Sequence, residues 1–281
     1  MKKGEKIFVA IVKKYYTKEG RHDLLWRQPT LKLRQASKIF DPYKIAVSEV
    51  MLQQTQVVRV QEKYKEFLAL FPTVKKLAEA PLIEVLKVWT GLGYNRRAKF
   101  LKSMAETITA EYKAKFPQTV EELEKLPGVG HYTARAIATF AYNQPHVFIE
   151  TNIRTVYMHH FFPESRELVD DKVLLPIIEA TLDHENPREW YWALMDYGSY
   201  LKQSGIKIHR QSKQYVKQKP LKGSVREVRG ALIKVLAQGP QTITALRKKI
   251  DFDTARYNTA IEQLVAEQLI EKKGNKYQIL S

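Results

Sequence analysis

The 281-residue chain contains no cysteine. That excludes disulfides, thiolate zinc sites, cysteine-ligated iron–sulfur clusters and cysteine nucleophiles. Long apolar runs are missing too, and nothing approaches the roughly 18 apolar residues of a membrane span. The amino-terminal stretch has basic residues before an apolar segment, but Lys13 and Lys14 interrupt it and no small-residue cleavage site follows. A signal peptide is therefore not expected. Acidic residues are scarce beside basic ones, 30 against 47, for a formal charge of +17. Such a surplus favours a polyanionic partner, nucleic acid before an anionic membrane surface. The scarcity peaks where Lys202, Lys207, Arg210, Lys213, Lys217, Lys219 and Lys222 meet no Asp or Glu. That stretch reads either as a connector that contacts phosphates or as a solvated linker.

What is present is helical periodicity. Residues 3–20 read as an amphipathic helix bearing Ile7, Val9, Ile11 and Val12, and 31–37 as a polar, basic loop. Asp41 and Pro42 open a helix whose apolar face, Ile45, Val50 and Leu52, is interrupted by Glu49. Proline-punctuated helices follow, then a Gly-Leu-Gly-Tyr turn at 91–94 and a basic helix start at 95–99. Thr119 to Glu122 has the Thr-x-x-Glu form of a capping box, so a helix is expected from there to Leu126, where Pro127 and Gly128 stop it. Helical periodicity resumes at Tyr132. A glycine-rich turn opening a helix directs N–H groups outward at its positive end, which suits a phosphate; an ordinary αα-hairpin has the same form. Helices around 170–183 and 187–201 complete an all-α body with almost no convincing strand alternation before residue 265. Three helical segments, 225–237, 242–250 and 254–268, then precede a strand, a Lys-Gly-Asn turn and a strand. That is the order of a winged helix-turn-helix module, whose Lys272, Lys273 and Lys276 could touch phosphate, with protein contact or dimerisation as the alternative. The expected division is a body over 1–201, a basic linker over 202–223 and a terminal module over 224–281.

The runs SEVMLQQT (48–55), GLGY (91–94) and LPGVGHYT (126–133) resemble, in that order, the helix-hairpin-helix DNA glycosylases. The first is similar most closely to the MutY-type adenine glycosylases. The resemblance covers roughly residues 22–200 and implies a two-lobed helix-hairpin-helix glycosylase fold acting on double-stranded DNA that carries a mispair or damaged base. Cleaving an N-glycosidic bond needs an acid for the leaving base and a carboxylate for the oxocarbenium-like sugar. Glu49, on an otherwise apolar helix, is placed for the acid role, since partial burial favours its protonated form. The family's second carboxylate is an Asp in an Asp-Gly-Asn segment; here Glu150, Thr151 and Asn152 align with it. Glutamate reaches about one methylene farther, and displacements near 1 Å can cost about a hundredfold in rate.

Relatives that also cut the strand carry a Lys nucleophile where this chain has Tyr132, so the resemblance implies base release without lyase activity. Tyr132 and Asn152 match the catalytic pocket, and Arg27 and Asp196 match further pocket positions. Gln54 and Tyr94 match residues that wedge into the duplex when the target base is extruded, with Thr55 beside them. Gly128, Gly130 and His131 match the hairpin that meets the backbone, where a monovalent cation can also sit. Most of the family holds an iron–sulfur cluster on four cysteines after the Asp-x-Gly segment, and the corresponding region, 201–220, has none, so no cofactor or metal is expected. The terminal module is too short for the Nudix-like domain that many relatives carry. The resemblance implies a monomer at the chromosome, in the cytoplasm, and no role at a membrane. Two other readings stay open: a mismatch enzyme for thymine, uracil or hypoxanthine, and a non-catalytic protein that binds lesions.

Overall fold

The computed structural model describes residues 1–28, 40–165, 167–218 and 220–280. The loop expected at 31–37 lies outside the described residues, as does Lys219. In chain order the helices of the body are α1 (Lys3–Glu19), α2 (Pro42–Leu52), α3 (Val57–Leu70), α4 (Val74–Glu79), α5 (Leu82–Trp89), α6 (Arg96–Glu111), α7 (Val120–Leu123), α8 (His131–Tyr142), α9 (Thr151–Phe161), α10 (Asp171–Thr181) and α11 (Pro187–Gln203). After them come α12 (Val225–Leu236), β1 (Gln241–Thr242), α13 (Ile243–Lys249), α14 (Thr254–Ala266), β2 (Ile270–Lys273) and β3 (Lys276–Ile279). No helix among the described residues is long and apolar enough to cross a membrane.

The chain divides into two compact units. One comprises Met1–Ile45, Gln118–Glu124 and Val129–Lys217; the other comprises Ala46–Pro117, Lys125–Gly128 and Gln218–Ser281. In the first, α11 packs along α9 and α1. Phe8 reaches this core and sets its ring 5.0 Å from Tyr157 and 6.0 Å from Trp190. Helix α1 therefore buries Phe8 and Val12, one helical turn apart, while Ile7, 54% exposed, and Ile11 face solvent. This corrects the expected face: four apolar positions in six cannot all point one way on a helix, and the aromatic ring takes the core.

In the second unit, α6 packs on α4 and α5 around Trp89, Leu101 and Met104, all buried. Its terminal part joins α12 to α14 through Leu232, Ile233, Tyr257 and Leu264. The short strands form an antiparallel sheet in the order β1-β3-β2, with Ile270 opposite Ile279 and Gln241 opposite Tyr277. Gly274 supplies the positive φ, 62°, of the tight turn. Strand β1 was not expected, because two residues carry no period that a sequence can show. Helix α7 also departs from expectation. Thr119 caps it, accepting from the Glu122 amide at 3.3 Å, yet it ends at Leu123 rather than reaching Leu126.

Candidate active site and nucleic-acid contacts

Helix α2 starts where Asp41 accepts from the Tyr43 amide at 3.0 Å. Its length is buried on almost every side, through Tyr43, Ile45, Ala46, Val47, Val50 and Met51. Glu49 stands among them and is 8% exposed. A carboxyl group taken out of water is costly unless it is hydrogen-bonded or neutral.

The chain after α2 returns through Gln53, Gln54 and Thr55. Gln54 has φ 54° and Tyr94 has φ 48°, the left-handed region that side chains other than glycine rarely adopt. The residues flanking both are held by Arg97, which the sequence shows only as part of a basic helix start. Its buried guanidinium donates to the carbonyls of Val50 at 2.7 Å, Met51 at 3.0 Å and Gln53 at 2.7 Å. On its other side it donates to Thr55 Oγ1 at 3.1 Å, Leu92 O at 3.2 Å and Gly93 O at 3.1 Å. It thus closes the end of α2, whose last carbonyls have no helical partner, onto the turn at 91–94. Burial lowers the Arg97 pKa to about 10. The Tyr94 ring lies 5.5 Å from this guanidinium and stays 38% exposed. Two exposed side chains thus stand on left-handed backbone, which costs energy unless the surroundings hold it, and Arg97 bonds the residues beside both.

The hairpin glycines divide their tasks. Gly128 has φ 75°, and a Cβ there would meet Phe100 at 2.5 Å. Gly130 has ordinary φ, −94°, with open space around it, and opens α8 without a side-chain cap. The amino-terminal end of α8 carries the positive end of the helix dipole. His131 is exposed and lies 3.0 Å from Glu124, which Arg135 also approaches at 2.7 Å.

Glu150 caps α9. Its Oε1 accepts from the amides of Asn152 at 2.7 Å and Ile153 at 2.9 Å, and its Oε2 from the Asn152 side chain at 3.3 Å. Asn152 Oδ1 is buried and makes no hydrogen bond among the described residues. Helix α11 comes close: a Cβ on Gly198 would fall on the Asn152 carbonyl. Four residues on, half-buried Lys202 feels both burial, which lowers its pKa, and the opposing charge of Glu150. The Tyr132 ring packs edge-on to Phe148 with centroids 5.6 Å apart, and Phe148 stacks on Tyr191.

Arg27 and Asp196 do come together, as a buried ion pair. Arg27 donates to Oδ2 at 2.7 Å and Oδ1 at 2.9 Å, and Arg21 adds its own side chain and its amide at 2.8 Å. Burial works to raise the Asp196 pKa; the hydrogen bonds and charges of Arg27 and Arg21 more than offset it, leaving the carboxyl below its ordinary range. Both oxygens are spent on the arginines, so Asp196 organises its neighbours.

Beyond α11 the chain forms a short turn, Ile208–Gln211. Gln211 O accepts from the Val169 amide and Val169 O from the Lys213 amide, both at 2.9 Å. Asp170 accepts from the Gln214 side chain at 3.3 Å. Amides, carbonyls and a carboxylate do not fit a thiolate-ligated cluster. Backbone pairing fastens this segment instead.

Residues 47–173 match the model of the HhH-GPD superfamily of base excision DNA repair proteins. The adenine DNA glycosylase of Mycobacterium tuberculosis is 32% identical over 286 residues, spanning 92% of this chain and 88% of that protein. That of Buchnera aphidicola (subspecies Baizongia pistaciae) is 32% identical over 195 residues, 69% of this chain; the match spans 53% of its own length. Two solved structures share the fold. A thermostable thymine-DNA glycosylase aligns with TM-score 0.59 at 24% identity over 70% of this chain and 87% of its own. Endonuclease III in a non-covalent DNA complex aligns with TM-score 0.56 at 17% identity over 71% and 87%. The chain belongs to the helix-hairpin-helix base excision repair superfamily of DNA glycosylases and, within it, to the adenine DNA glycosylase family.

Proposed function

We propose that this protein is a monofunctional adenine glycosylase, working without an iron–sulfur cluster, that extrudes adenine mispaired with 8-oxoguanine or G and hydrolyses its N-glycosidic bond to leave an abasic site. The observation that carries the reading is Glu49, an acid buried on an apolar helix inside the Ser48–Thr55 motif. Glu49 protonates the leaving base. Glu150, its oxygens fixed by two amides and by Asn152, places negative charge where the sugar becomes cationic, without reorganising during the step. The Asn152 Oδ1 offers an acceptor to the extruded nucleotide or to the water that attacks the sugar. Tyr132 stands where an amine would be needed to form a Schiff base, so the strand is left intact. Gln54 and Tyr94 fill the gap, Thr55 and Arg97 hold them, and the positive end of α8 beyond Gly128 and Gly130, with His131, meets a phosphate. Arg27 lines the pocket and is held there by Asp196. Residues 224–281 act as a winged-helix-like module whose Lys272, Lys273 and Lys276 add phosphate contacts, and the enzyme works as a monomer at the chromosome.

Incubation with duplexes carrying A opposite 8-oxoguanine, A opposite G, T opposite G, U opposite G and undamaged A·T, followed by alkali, tests the reading. Scission confined to the A mispairs is expected, and Glu49→Gln should abolish it while leaving duplex binding largely intact. Scission confined to T or U duplexes would move the enzyme to another base. Binding without scission anywhere would make it a non-catalytic lesion binder.

A further inference from the structure

The hydroxyl of Tyr94, a residue that is 38% exposed, has two donors from the later part of the chain. Arg226, second residue of α12, donates to Tyr94 Oη at 2.7 Å and lies 5.7 Å from the ring centroid. Gln218 donates from its amide to the same oxygen at 2.5 Å and to Gln54 Oε1 at 3.3 Å. One stretch of the terminal part thus touches both left-handed tips. Its seat on the same unit is specific. Lys99 of α6 donates to the Glu267 carbonyl and to the Gln268 side chain, each at 2.9 Å, at the carboxy-terminal end of α14. A cation in the first turn of a helix opposes the helix dipole. Arg226 accepts that cost and directs its charge to the face of Tyr94, where Arg97 already stands on the ring at 5.5 Å.

We infer that Gln218 and Arg226 are positioning residues that preset Tyr94 and Gln54 for entry into the duplex, so that discrimination between a damaged and an intact duplex depends on the terminal module. The inference rests on the reading of Tyr94 as a wedge. A side chain already ordered loses less entropy when it enters the stack. The benefit arises only where a gap exists, and binding to intact duplex gains nothing from it.

The test uses the full-length protein and two duplexes, one carrying a tetrahydrofuran abasic analogue opposite G and one intact, at several salt concentrations. Arg226→Ala and Tyr94→Phe should each lower the ratio of affinities by about fivefold to tenfold, and the double variant should be no worse than either. The slope of log affinity against log salt should not change. Multiplying effects, or a slope reduced by about one, would show Arg226 acting on phosphate and overturn the inference. Gln218→Ala with unchanged discrimination would remove Gln218 from it. Tyr94→Ala reports on the premise: if it leaves discrimination intact, the wedge reading fails first.

Discussion

Gly198 of α11 lies against the carbonyl of Asn152, so closely that a Cβ could not be accommodated there. The missing side chain is what lets α11 approach the start of α9, and hence what fixes Glu150 and Asn152. Gly198→Ala is expected to cost about 1–3 kcal/mol in urea unfolding, the usual cost of overpacking a core. Single-turnover excision should fall at least about tenfold, because the carboxylate is displaced. Wild-type values for both would show that the approach is not what positions the pair.

Asp196 neutralises two guanidinium groups in a buried setting. Asp196→Asn should cost about 3–5 kcal/mol, since it leaves Arg27 charged and unmatched out of water. Replacing Arg27 and Asp196 together by Met and Leu should recover most of that loss. Denaturant titration of the two variants side by side decides it; equal losses would contradict the pairing.

The two hairpin glycines should respond differently to the same change. Gly128→Ala forces a Cβ onto Phe100 at positive φ and should destabilise by more than about 1 kcal/mol. Gly130→Ala has room and ordinary φ, and should stay within about 0.5 kcal/mol. Thermal melts of both variants provide the comparison, and a reversed order would refute the assignment.

His160, beside Phe8 and 3.1 Å from the Tyr197 hydroxyl, is held neutral: burial, assisted by His159, lowers its pKa from 6.5 to about 4. The unfolded chain takes up a proton as pH falls below 6.5, while the folded chain does so only near 4. Stability from this group is therefore complete above 6.5 and declines between 6.5 and 4. His160→Gln should flatten that part of the stability profile. Identical acid slopes for the two proteins would rule the effect out.

The helices were legible because their apolar periods and caps are local, as Asp41 at α2 and Thr119 at α7 show. Glu49, Gln54, Tyr94 and Glu150 stand out because short runs of sequence, or a departure from one, carry them. What stayed hidden depends on contacts across the chain. Arg97 looks like any lysine or arginine at a helix start, and its acceptors at Val50 and Met51 lie more than forty residues away. Arg21 joins Asp196 from the other end of its unit. Gly198 reads as one small residue in a helix, and nothing nearby says what it admits. Glu150 read as a departure in length from Asp; only the backbone shows that the longer side chain folds back to cap its own helix.

Arg97 reaches the chain behind Gln54 and the chain behind Tyr94 with one side chain. The two left-handed turns therefore share one support, and a substitution at Arg97 is expected to disturb both at once. Altering one turn alone takes a change within that turn, or in the Gln218 and Arg226 side chains laid against it.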